Sequence, residues 1–332
     1  MSQKLSSVLL KTSQMPDHHP SLRALNTPNL SLVRAPFARS NQVFFIHSSL
    51  NTPPLAVLKT NPQNHSKLLP ELHTLAFLNS HHIPLVPSIL SHHPGELLLS
   101  YIPHAQHSLA KFSSTSIQQL ACWLASLHAL RPTTNSENSE KPQLKLLDDP
   151  LPLHQRLSKI LAKTSRRVRS KHTLSTTQYT LVELATQRFQ SLLTQPHVQH
   201  ELAIKAIAHR DINPHNILLD PHTHHLCGVI DFERAAATSP AWDFVKLKWW
   251  LLDQLPSSHT TAFLEAYTQN LSTPHIQAIE LFTLFEAITL LCVFAKSPQS
   301  HYVQGATSIL NALTQNPPPT HFHELPSWPH TI

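Results

Sequence analysis

The chain has 332 residues, enough for two domains or for one domain of two lobes around a sizeable core. Hydrophobic residues make up 41%, above the range of disordered chains, and charged residues only 13%, about half the usual share. The formal charge of +6 is concentrated in RLSKILAKTSRRVRSKH (156–172), which has no interleaved aromatics; that argues against a stacking platform for single-stranded nucleic acid and favours a solvated helix face or loop.

Glycine occurs three times where about 7% is typical, so Asn, His and Asp are expected to carry turns that need a positive φ. With 27 histidines, the pairs at 81–82 and 92–93 and the HTHH run at 222–225 follow from composition, and abundance alone does not make a metal site. Cys122, Cys227 and Cys292 are odd in number and far apart. Cys122 and Cys292 lie in apolar helical patterns and read as buried thiols of a reducing compartment. The N-terminus has a three-residue apolar stretch, too short for a signal peptide, and no segment reaches 18 apolar residues. A cytoplasmic protein with no membrane span is the expectation.

In chain order, SNQVFFIHSS (40–49) and PPLAVLKT (53–60) are β-rich runs separated by turn chemistry. ELHTLAFLNSHH (71–82) switches to helix, with Leu72, Leu75, Ala76 and Asn79 at i, i+3, i+4 and i+7. IPLVPSIL and GELLLSYIP read as two more strands punctuated by Pro87 and Gly95. Helical character then dominates. SIQQLACWLASLHAL (116–130) places Leu120, Trp123, Leu124, Leu127 and Leu130 on one stripe. A polar loop at 133–143 and the basic run follow, then a helix over 176–193. HNILLD and LCGVIDF form two short strands, and AWDFVKLKWWLLDQL begins a helical stretch to about residue 315. The tail NPPPTHFHELPSWPH cannot be helical and is expected to pack on the surface or move freely. The division predicted is an extension (1–29), a sheet with one helix (30–103), a mostly helical part (104–316) and a Pro-rich tail (317–332), an α+β organisation.

AHRDINPHNILLD (208–220) breaks an apolar run with chemistry that suits phosphoryl transfer. Such transfer needs a carboxylate for the attacking hydroxyl, hard oxygen ligands for Mg²⁺, and a held cation for the phosphates. Asp211 and Asn216 share a short loop, and Asp231 ends the next apolar strand twenty residues after Asp211. The intervening NILLD-PHTHH-LCGVI reads as a β-hairpin that returns Asp231 close to Asn216. Upstream, Lys59 ends the strand AVLK and Glu71 opens the following helix, an arrangement in which the glutamate holds the lysine.

These segments resemble the aminoglycoside phosphotransferase and choline kinase-like family. AHRDINPHNILLD resembles its His-Gly-Asp-Leu-His-x-x-Asn-Ile-Leu loop, and GVIDFERAAATSPAWDFVKL its Gly-Val-Ile-Asp-Phe/Trp-Glu … Pro-x-x-Asp segment. SNQVFFI, IPLVPSIL … LLLSYIP and LACWLASLHAL match further segments in order, over about residues 30–250. The resemblance implies a bilobal protein-kinase-like fold with a small antiparallel-sheet N-lobe and a larger, mostly helical C-lobe. By position it implies Asp211 as catalytic base, Asn216 and Asp231 as Mg²⁺ ligands, and Lys59 on the phosphates of ATP with Glu71 orienting it. It further implies Ser40 and Asn41 beside the triphosphate, the backbone around Ser100, Tyr101 and Ile102 on adenine, and His209 and Asp243 as braces of the catalytic loop.

Two departures stand out: Arg210 replaces the family's usual Gly, and the nucleotide loop RAPFARSN has no glycine. Three rival readings stay open. A protein kinase needs a long activation segment, but Asp243 follows Asp231 by only twelve residues. The glycine-free loop fits a weak or inactive nucleotide-binding relative with a regulatory role. Histidine abundance is all that favours a metal protein. The expected partner is a small-molecule acceptor, bound in the helical part. Glu233, Trp242, Trp249, Trp250, Asp253, Glu265, Glu280 and Glu286 are candidate pocket residues, most of them equally at home in a core.

Overall fold

The computed structural model describes residues 9–11, 19–27, 30–35, 41–132, 153–171, 174–297 and 299–329. In chain order, β1 (Leu9–Lys11), β2 (Ser31–Arg34), β3 (Gln42–His47), β4 (Ala56–Thr60), α1 (Leu69–Ser80), β5 (Ile89–His93) and β6 (Glu96–Ser100) come first. There follow α2 (Ser114–Ala129), α3 (Leu153–Lys171), α4 (Thr176–Leu193), α5 (Pro196–Ala203) and β7 (Ala206–Ala208). The hairpin strands β8 (Ile217–Leu219) and β9 (Leu226–Val229) precede β10 (Ala236–Thr238), α6 (Ala241–Trp250), α7 (Ser257–Thr268), α8 (Ile276–Val293) and α9 (His301–Gln315). Among the described residues these elements form two compact units, one from Met1–Lys111 and His215–Ala235, the other from Phe112–Thr134, Asp148–Pro214 and Ala236–Ile332.

The first unit is built on an antiparallel sheet of order β1-β2-β3-β4-β6-β5. Strand alternation sends Leu32, Phe44, Ile46, Ala56, Leu58 and Leu98 to one face, where Leu22 and Leu30 complete a buried cluster. Leu22 belongs to a helical turn, Pro20–Leu25, whose Ser21 amide and His19 ring bind the Glu96 carboxylate. Val43, Phe45, Val57 and Lys59 take the alternate, half-buried positions.

The predicted strand IPLVPSIL needs correction: strand begins only at Ile89, because Pro84 and Pro87 cannot donate to a ladder and Leu85 adopts φ 63°. In α1 the buried stripe is Glu71, Thr74, Leu75 and Leu78, with Phe77 beside it, rotated from the predicted Leu72–Asn79 stripe so that the glutamate faces inward. Gly95, at φ 80°, makes the turn between β5 and β6, and Pro94 precedes it as a type II turn favours. Among the described residues six non-glycine residues have positive φ, and Asn26, His82, His224 and Asp231 are four of them, as the scarcity of glycine implied.

In the second unit α8 packs against α4, α6 and α9, with α2 and α7 pairing beside them. Among the described residues α8 is the one helix long and apolar enough to cross a membrane, yet 72% of it is buried within the protein. Helix α2 starts at a Ser113 cap whose hydroxyl receives the Ser116 amide, contributing about 1 kcal/mol. Of the basic run, the described part of α3 buries Leu157 and Leu161 and exposes Lys159, Lys163 and Arg166. The polar loop 133–143 lies outside the described residues. One reading needs correction here. Cys122 is exposed, because it falls between the buried Leu120 and Trp123 positions of α2; Cys292 is buried. Of the two outcomes expected for the tail, packing is the one observed: Leu325 and Trp328 are buried, with Trp328 against Trp249 and Trp250.

Candidate active site

Within the first unit, Lys59 leaves the middle of the sheet between Val43 and Leu97 in register. Its ammonium donates to both Glu71 oxygens at 2.8 Å and to Asp231 Oδ1 at 2.8 Å. Helix α1 supplies Glu71 from its first turn, 1% exposed, and the end of β9 supplies Asp231. Asp231 sits at φ 69°, ψ 63°, a left-handed geometry that aims its carboxyl off the strand axis at a conformational cost. Burial works to lower Lys59, but Glu71 and Asp231 outweigh it and hold the ammonium above the ordinary lysine range. Burial pushes Glu71 up, against the pull of Lys59 and with the help of Asp231.

The hairpin β8–β9 places Asn216 just before β8, and the Ile230 amide donates to the Asn216 carbonyl at 3.0 Å. Asn216 and Asp231 thus stand on adjoining ends of one hairpin, as the sequence led us to expect. A second polar chain flanks them: Asn61 donates to Asn41, and Asn41 donates to Glu233 at 3.0 Å. Residues 36–40 of the nucleotide loop, Ser40 included, lie outside the described residues.

Asn216 and Asp231 offer hard oxygens, and Glu71, Asp231 and Glu233 outnumber the Lys59 ammonium, so the donor set and its negative excess fit Mg²⁺. Among the described residues no group of three or more His, Cys, Asp or Glu converges as metal ligands, and the HTHH run lies in the turn of the hairpin. The segment after β6 is fastened to the same hairpin. The Ala105 amide donates to the Leu219 carbonyl, and a Cβ on Gly228 would come within 2.9 Å of Ile102 Cδ1, so this glycine admits the Ile102 side chain. The Ser100 amide already serves the Ser88 carbonyl, and the Tyr101 ring stands edge-on to Phe45.

In the second unit α6 grips three consecutive residues of the loop after β7. Asp243 Oδ2 accepts the His209 amide at 2.8 Å and Oδ1 the Arg210 amide at 2.5 Å. Buried His128 of α2 donates from Nε2 to Asp243 at 2.9 Å, and its Nδ1 pairs with the Tyr267 hydroxyl at 2.8 Å. Burial works to raise Asp243, but the hydrogen bond and charge of His128 and the His209 amide hold it below the usual carboxylate range. Arg210 adopts φ 64°, the conformation for which glycine is the default, and its guanidinium lies 3.8 Å over the Trp242 ring. Asp211, the third residue, receives Lys246 Nζ at 2.5 Å.

The sequence singled out neither Lys246 nor His128. Lys246 is hidden in the apolar helix AWDFVKLKWW, where only its spacing of three from Asp243 signals a shared face; His128 sits on the apolar stripe of α2. Several candidate pocket residues are engaged elsewhere: Glu286 accepts Trp242 Nε1 at 2.7 Å, Glu280 accepts Arg188 Nε at 2.5 Å, and Asp253 accepts Lys248 at 2.5 Å. Trp249 is core and Glu265 is exposed.

A model of the phosphotransferase enzyme family matches residues 33–282. No curated protein sequence matches the chain. Solved structures share its fold. ADP-bound aminoglycoside phosphotransferase APH(2'')-Ib is 14% identical with a TM-score of 0.64, covering 94% of this chain and 99% of its own. Macrolide 2'-phosphotransferase type I is 17% identical with a TM-score of 0.58, covering 91% and 98%. Choline kinase from Cryptosporidium parvum Iowa II is 15% identical with a TM-score of 0.62, covering 87% and 92%.

Proposed function

Because the chain belongs to the phosphotransferase enzyme family and has its protein-kinase-like fold, we propose that it transfers the γ-phosphoryl group of ATP to a hydroxyl of a small molecule. The observation that carries the reading is the Lys59 ammonium clamped by Glu71 and Asp231, a fixed cation of the kind that meets nucleotide phosphates.

Each unit is assigned its part. In the first, Lys59 binds the phosphates, Glu71 keeps its ammonium aimed, and Asn216 and Asp231 hold Mg²⁺. That ion, when bound, neutralises charge on the transferring phosphoryl group. Asn41 borders the triphosphate, and the backbone of Ser100, Tyr101 and Ile102 receives adenine beside half-buried Val43 and Val57. Because the Ser100 N–H is already used, the carbonyl of Ser100 and the groups of the next two residues make that contact. In the second unit Asp211 is the base. The acceptor oxygen bonds to the γ-phosphorus, the bond from that phosphorus to ADP breaks, and the hydroxyl proton passes to Asp211. His209 and Asp243 hold the loop. The free thiols and the need for ATP suit the cytoplasm.

The test is an ATP-consumption screen against hydroxylated amines, sugars and antibiotics, run beside Asp211→Asn. Transfer to at least one acceptor and its loss by about 100-fold or more in the variant are expected. Equal turnover by the two proteins would remove the mechanism.

A further inference from the structure

The ion pair between Lys246 and Asp211 has features that a structural bridge does not need. The Lys246 side chain is only 8% exposed, whereas that of Asp211 is 24% exposed, so the carboxylate is the accessible end and the ammonium stands behind it. Taking a lysine out of water is costly, and α6 carries a second lysine, Lys248, whose bridge is local, to Asp253 five residues on. Lys246 reaches thirty-five residues back along the chain, to a loop, instead.

Spacing along α6 explains how. Asp243 and Lys246 are one turn apart and share a face. Asp243 fixes the amides of His209 and Arg210, and Trp242 lies under the Arg210 guanidinium. Those contacts hold the backbone amides that lead into Arg210, and a bond from Lys246 Nζ to one carboxylate oxygen restrains the Asp211 side chain that follows.

We propose that Lys246 is a positioning residue that tethers Asp211 through Oδ1 and presents its carboxylate to the acceptor hydroxyl. The assignment rests on the reading of Asp211 as base. Charged groups close to the pair in the second unit are Arg210, Asp243, and His209 and His128 when protonated. Asp243 has its two oxygens turned to amides and to His128, Arg210 lies over Trp242, and Lys246 donates to Asp211 Oδ1. Its effect must therefore pass through Asp211, and that gives it a signature that a general loss of packing lacks.

The test uses the full chain with MgATP, reading the acceptor found by the screen or, before one is known, hydrolysis with water as acceptor. Lys246→Met, which keeps the bulk of the stem and removes the tether, is expected to lower kcat by about 100-fold, the cost of a misplaced reacting group, with KM for ATP unchanged. Lys246→Arg, which keeps a donor and the charge, should recover much of that loss. In an Asp211→Asn background Lys246→Met should have no further effect. In ¹⁵N-lysine spectra of the whole protein, the Lys246 ammonium should give a slowly exchanging signal that Asp211→Asn abolishes.

Additive losses in the double variant, a fall confined to KM, or faster turnover in Lys246→Met would each overturn the positioning role while leaving Asp211 as base. An ammonium signal unaffected by Asp211→Asn would also overturn it. A wild-type protein that turns over no ATP, its ammonium signal intact, would instead remove the transfer reading, and the role of Lys246 with it.

Discussion

Gly305 on α9 provides a test of the packing in which the sign of the effect carries the information. An added Cβ there would overlap Cζ2 and Cε2 of Trp328 and lie 2.9 Å from its Cη2. In the middle of an exposed helix, Gly→Ala stabilises by about 1 kcal/mol, because alanine loses less backbone entropy. Here the methyl group must evict an indole that is 3% exposed and seated against Trp250 at 4.7 Å and Trp249 at 5.1 Å. Losing a buried tryptophan costs about 3–5 kcal/mol. Gly305→Ala should therefore destabilise by about 2–4 kcal/mol, once the helix gain of about 1 kcal/mol is set against that cost. Urea denaturation followed by circular dichroism reads the midpoint, and red-shifted tryptophan emission reports the freed ring. In a Trp328→Ala background the same substitution should become stabilising by about 1 kcal/mol, since the three atoms nearest the new methyl group are gone. A more stable Gly305→Ala protein with the tail intact would refute the reasoning.

Further outcomes follow from the charges and thiols. Asp231→Ala should abolish Mg²⁺-dependent ATP binding in calorimetry while Lys59 stays paired with Glu71; unchanged binding with and without the ion would rule out its ligand role. Burial pushes Glu96 up, but His19 and the Ser21 amide outweigh it and leave the carboxyl below the usual 4.5. Its hold on the Pro20–Leu25 turn is therefore complete above that pH and lost as pH falls through the depressed value. Hydrogen exchange at the Ser21 amide should accelerate across that acid range, and Glu96→Gln should erase the dependence. Thiol labelling at pH 8 should reach exposed Cys122 first. Cys227 and Cys292 should lag, because burial, aided at Cys227 by Asp220, raises each to about 11. Labelling of Cys292 ahead of Cys122 would contradict the packing of α8.

The Lys59–Glu71–Asp231 cluster of the first unit was legible because its signals are local. A lysine at a strand end, a glutamate opening the next helix and a hairpin joining Asn216 to Asp231 are each patterns of a few residues, and the observed Lys59–Glu71–Asp231 cluster lies where those patterns place it. Where the reading failed, a local breaker, the helix period or a distant partner outweighed the apolar pattern. Prolines 84 and 87 outweighed the apolar run meant for a strand, and the charge partner of Glu71 turned the buried face of α1 by one position. Cys122 looked buried in an apolar helix, but a hundred degrees per residue puts it outward with Ser126. The Pro20–Leu25 turn, and α5 behind Pro196, have too few apolar residues to announce themselves.

Residue order alone settled which side chains exist to carry the chemistry and in which kind of element most of them sit, since periodicity and turn preference act over a few bonds. Which charges meet was decided by folding. Lys246 finds Asp211 thirty-five positions away, His128 finds Asp243 across 115, and Trp328 finds the one helical glycine that leaves it room. The strength of a buried ion pair and the fit of a ring depend on the dielectric and the space around them, and those properties exist only once distant segments have packed together.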